Sequence, residues 1–279
     1  MESVTRFKRA SKNWLVLSLG AAIAMVASVH SQAAGGQTTA SSNDRVLSVL
    51  LALRAPKWTT RADAFDKLKV DAAALQRSDV RRALLDLLDR EDQLIESALR
   101  ESHEQVGAST KYGEGFVEYV GQLSETIDTF ADWTDPHQVC VLVRKAYDAD
   151  SRTAAKIAMN GRLAVPCLLS MFKSEVGLTR AQAVGVLIQA LAKSKNDLDA
   201  ETTKRARNVA QLALSDRSDA VRIEAVEALG RFGDSEMVPA LQRVAESDPA
   251  ISHTSHTFWI REAARKAIGD IGKRALQAR

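Results

Sequence analysis

The sequence predicts an all-α fold, an α-solenoid of antiparallel helix pairs. Composition is the first reason. Only 5 prolines and 14 glycines interrupt 279 residues that are rich in Ala and Leu. Ala, Leu, Arg, Lys, Gln and Glu have the highest helix propensities. Periodicity is the second. Apolar residues recur at helical spacing from Asp44 almost to the end, and one pattern of Arg, Ala and Leu keeps returning. The chain is long enough to bury a sizeable core.

The N-terminus is a separate object. Arg6, Lys8, Arg9 and Lys12 precede the uncharged run WLVLSLGAAIAMVASV, and small residues follow at Ser31-Gln32-Ala33. Basic, apolar and small-residue regions in this order read as a secretory signal peptide over residues 1–33. The run of 16 residues is short against the roughly 20 of a membrane span. An uncleaved N-terminal membrane anchor is the alternative. A periplasmic or secreted product is expected, with no other tie to a membrane. Residues 34–43, AGGQTTASSN, are small and polar and read as a flexible linker.

Charge narrows the partners. Residues 1–33 hold four Lys/Arg and one Glu, so the formal +3 belongs to the leader and the remainder is balanced. A nucleic-acid binder needs surplus cations to neutralise phosphates, so nucleic acid is not an expected partner. The cysteines, Cys140 and Cys167, are a candidate bridge in an exported protein. The alternative is two small buried hydrophobes inside helices.

Residues 44–148 read as an irregular helical half. SDVRRALLDLLDREDQLIESALRESHEQ is one long helix or two joined ones, VGASTKYGEG is a Gly-rich break, and FVEYVGQLSETIDTFADW is a further helix. The 107–115 segment is expected to project as a loop. Another helix should start after Pro136 and carry Cys140.

Residues 149–279 are more regular. TRAQAVGVLI, VRIEAVEALG and IREAARKAIG share an Arg followed at offsets 3, 6 and 7 by small or apolar residues, with Arg180, Arg222 and Arg261 leading. SRTAAKIAMN repeats it from Arg152, and TRADAFDKLK is a weaker copy from Arg61. These offsets share one helical face. Between the copies stand Val165-Pro166 followed by Leu168, and Val238-Pro239 followed by Leu241. Pro suits a first helical turn, where its missing N–H would have had no partner. Pro166 and Pro239 are therefore expected at helix starts. The alternation resembles HEAT repeats, particularly the short Ala-rich kind also found in phycobilisome lyases. The resemblance is strong over residues 150–272 and implies stacked antiparallel helix pairs, each covering its neighbour's apolar face. It also implies a scaffold or, as an alternative, a lyase-type enzyme.

No catalytic pattern is complete. His103-Glu104 begins H-E-x-x-H, but position 107 is Gly. Gly113-Glu114-Gly115 begins a dinucleotide fingerprint, but position 118 is Glu and no strand precedes it. Ser170-Met171-Phe172-Lys173 matches S-x-x-K, yet the accompanying S-D-N and K-T-G elements are missing. No catalytic residue, resident metal or cofactor is assigned.

The repeated Arg reads as structural. It stands at the start of each second helix, and Asp148, Asp216, Asp219 and Asp248 in the turns are available partners. A ladder that binds anions is the competing view. The last turn, from Asp248 to Ile260, is longer than its counterpart from Asp216 to Val221. His253 and His256 within it make a two-ligand pattern, short of the three or four a zinc site takes. An enlarged turn is better read as a contact surface. The expected function is a non-catalytic scaffold for a protein or peptide. Candidate anchors are Trp58, Tyr112, Tyr119, Trp133 and Trp259, with His253 and His256 beside the last.

Overall fold

A computed structural model describes residues 42–101, 111–144, 152–194, 196–251 and 257–277. The leader, His103, Asp148, His253 and His256 lie outside them. Among the described residues there is no β-strand. The first helices are α1 (Ser42–Ala52), α2 (Trp58–Lys69), α3 (Ala72–Leu75), α4 (Ser78–Glu101) and α5 (Glu114–Asp128). Then come α6 (Pro136–Val143), α7 (Arg152–Met159), α8 (Gly161–Met171) and α9 (Gly177–Lys193). The chain continues through α10 (Ala200–Ala213), α11 (Asp219–Phe232), α12 (Val238–Ser247) and α13 (Trp259–Gln277).

Helices α7, α9, α11 and α13 lie side by side, each touching the next. Their antiparallel mates α6, α8, α10 and α12 form the opposing layer. Three apolar cores follow one another along the chain. The first holds Phe65, Leu84, Leu88, Phe116 and Leu123; the second, Val139, Ile157, Leu168 and Leu187; the third, Val184, Val221, Leu229, Leu241 and Ile260. Helix α9 serves two of them, with Val186 and Leu187 in the second and Val184 and Ile188 in the third. That double duty explains why its sequence is apolar on most sides. At Gly230 the layer is close-packed: an added Cβ would sit 3.0 Å from that of Ala267. The missing side chain lets α11 approach α13 closely.

Capping follows the sequence. Asp71, Asp135, Asp199 and Asp234 each accept a hydrogen bond from a backbone N–H two or three residues ahead in the first turn. Several expectations need correction. Helix α1 starts at Ser42, inside the expected linker, with Asp44 in its first turn where the helix dipole favours an acid. Residues 78–101 of the long segment form one helix, α4, one of the two readings offered. Of the expected 107–115 loop, residues 107–110 lie outside the described residues; Gly113 takes φ 89° and α5 begins at the next residue. Pro239 stands at the start of α12, but Pro166 sits inside α8, which begins five residues earlier at Gly161. The Pro166 ring removes one donor from that helix. The surrounding apolar burial of Val165, Leu168 and Leu169 holds the segment helical.

Candidate functional site

The repeated arginines come first, since they fix the stack. In α2, α9 and α11 the Arg is the fourth helical residue. Arg180 donates through Nε and Nη2 to the two carboxylate oxygens of Asp216, at 2.9 and 2.7 Å. Its Nη1 donates to the carbonyls of Ser174 and Glu175. Arg222 repeats this with Asp248, at 2.7 and 3.4 Å, and with the carbonyls of Asp216 and Arg217. Arg61 repeats it with Glu91, at 2.6 and 2.7 Å, and with the carbonyls of Ala55 and Pro56. In all three the carbonyls lie six and five residues before the Arg. Each guanidinium therefore closes its own turn and ties it to the following unit. These arginines are buried and paired, so they offer no open basic ladder. The Arg152 helix is in place, with nothing described of its side chain.

The Asp216 carboxyl feels two opposing effects. Burial pushes it up, but the bonds from Arg180 and the Ser218 N–H outweigh that and hold it below the usual carboxylate range. A depressed carboxylate stabilises the fold above its unfolded value near ~3.9, and this contribution is lost as pH falls through the folded value. Asp216→Asn is expected to reduce the loss of stability on acidification below about pH 5. Urea unfolding across pH 2–7 checks it; an unchanged pH slope contradicts the pairing.

The aromatic candidates all pack within the fold. Tyr119 is buried and donates its hydroxyl to Glu91 Oε1 at 3.1 Å. Trp58 stacks on Tyr119 with centroids 6.2 Å apart, and Tyr112 leans on Phe116 at 4.8 Å. Trp133 is half-buried under Lys156, and Trp259 is half-buried against the C-terminal core. Although off the helical stripe, all five are buried or half-buried. Trp58 and Tyr112 pack against Phe116 of α5.

The main concavity lies where the N-terminal half meets the repeat array. It is a groove of about 670 Å³ between α4 on one side and α6, α8 and α9 on the other. Ile95, Leu99, Pro166 and Met171 make its apolar lining. Asp92 and Glu96 stand on the α4 wall, Arg144 and Lys173 on the opposite one. Ser174 donates to Glu96 at 2.8 Å across the gap, and Arg144 pairs with Asp89. Leu99 also lines a second hollow of about 560 Å³ that reaches Arg217 and Ser218. Cys140 and Cys167 both face the main groove, joined in a disulfide with Cα atoms 5.6 Å apart. Ser170 and Lys173 line the same wall, but among the described residues no hydrogen bond links them. Also among the described residues, no group of three or more His, Cys, Asp or Glu is placed to hold a metal.

The family model for HEAT repeats matches residues 185–253 and 207–278. Over residues 185–278 the chain is built of HEAT repeats. HEAT repeats commonly act as protein-interaction scaffolds. No curated protein matches the chain. The Arg61 geometry places the same turn-closing device in the N-terminal half of the chain, well before the matched range. Sequence reasoning missed Glu91 and the acidic wall of α4. One signal was available: Glu91 interrupts the apolar stripe Leu84, Leu88, Ile95 at a stripe position. A carboxylate there must be buried with a partner.

Proposed function

We propose that this HEAT repeat protein is a non-catalytic scaffold of the cell envelope or exterior, and that the groove along α4 takes an extended segment of a partner protein. One observation carries the reading. The groove combines an apolar lining with carboxylates on one wall and cations on the other. Apolar contact supplies affinity and fixed charges of both signs supply register. The balanced charge beyond the leader favours a protein over a nucleic acid. The leader pattern and the disulfide both suit an oxidising compartment.

Ser170 is exposed on the groove wall, so Ser170→Trp fills the groove without entering the core. It is expected to weaken partner binding by about tenfold or more, with an unchanged unfolding midpoint. A photoreactive residue at Gln93, on the facing wall, should cross-link the same partner. Undiminished capture by the Ser170→Trp protein, together with cross-linking only from other faces, rules the groove out.

A further inference from the structure

Arg261 departs from the pattern of Arg61, Arg180 and Arg222. In those repeats Nε and Nη2 grip both oxygens of a carboxylate from the next unit. Arg261 Nε instead donates to the Asp248 backbone carbonyl at 2.7 Å, while the Asp248 carboxylate is taken by Arg222. Among the described residues no carboxylate reaches either Nη of Arg261. Its guanidinium lies over the Phe258 ring, 3.8 Å from the centroid, and Phe258 is 38% exposed. The ring supports the planar cation from below and leaves its donors at the end of the stack.

We propose that Arg261 and Phe258 form a binding site for a carboxylate on an acidic segment of a partner protein. The chain itself shows what this Arg position takes: two earlier members of the array each hold an Asp from a following turn. At α13 no carboxylate among the described residues fills that place. Arg is suited to this because its fork is planar and its charge persists at all physiological pH. The aromatic face adds a cation–π contact and an apolar surface for the partner residue beside the acid. The site is separate from the groove and stands without it.

The turn that already satisfies Arg222 provides the probe. A capped peptide with the sequence VAESDPA, residues 244–250, is titrated into the full-length chain while the side-chain Nε–H signal of Arg261 and, in every variant, the backbone amide signals of α13 are followed by NMR. Saturable binding is expected. It should weaken by about tenfold, both for the peptide with Asp248 changed to Asn and for the Arg261→Lys protein, which keeps a cation but loses the fork. Phe258→Ala should weaken it less, and Ser170→Trp should leave it unchanged. No saturable shift, equal affinity for the Asn peptide, or equal binding by Arg261→Lys would overturn the proposal. Inorganic phosphate shifting the signal as strongly as the peptide would also overturn it, since the site would then be a general anion site. If the peptide binds while Ser170→Trp still captures the groove partner, the groove reading falls and this one stands.

Discussion

Glu91→Ala is expected to lower the free energy of unfolding by about 3–5 kcal/mol. Glu91 is wholly buried, and Arg61, only 2% exposed, grips both of its oxygens. Removing the carboxylate leaves a guanidinium without a counter-charge inside the N-terminal core. Water cannot replace the lost partner there. Tyr119 loses its acceptor at the same time. Burial, and then the Glu91 charge, push the Tyr119 phenol far above its ordinary value. It therefore stays a neutral donor across the physiological range. Such a loss is a large part of the roughly 5–15 kcal/mol that keeps a domain folded. Glu91→Gln keeps the shape and one acceptor and should cost less. Replacing both charges, Arg61→Met with Glu91→Leu, should recover most of the stability, because the pair's desolvation cost disappears with it. Urea unfolding of the single and double variants measures this. A Glu91→Ala loss below about 1 kcal/mol would mean that the pair is not buried as described.

Reducing the Cys140–Cys167 bridge should cost nearly as much. The bridge closes a loop with a sequence separation of 27 and ties α6 to α8. Chain-entropy arithmetic for such a loop gives about 3.5 kcal/mol of stabilisation through the unfolded state. Thermal unfolding with and without dithiothreitol should show a clear drop in midpoint. The Cys140→Ala, Cys167→Ala protein should start low and ignore the reductant. A midpoint that reductant leaves unmoved in the parent protein would show that the bridge contributes nothing. Both cysteines face the groove, so partner binding measured in the same samples connects the bridge to the site.

The two arginine environments show how far sequence reaches. Arg180 and Arg222 could be read as paired with turn aspartates, because a recurring Arg in the first turn of each second helix and an Asp in each turn are local features. Arg61 could be aligned, but its partner could not be identified. Glu91 stands 30 residues away in the middle of a different helix, and only the packing of α2 against α4 and α5 brings it near. The packing of the aromatic candidates was not legible in the sequence for a related reason. Position off a helical stripe says that a ring does not face that helix's own core. It does not say what the next segment will cover.

Helix type, the repeat, its small-residue faces and the enlarged last turn were all determined by the sequence. Each depends on residues within a turn or two of one another, where periodicity and capping act. The groove, the burial of Tyr119, the bridge and the lack, among the described residues, of a carboxylate at Arg261 were decided by tertiary structure. Each depends on which distant surfaces meet, and helix periodicity carries no information about the distance between two faces once the helices stack.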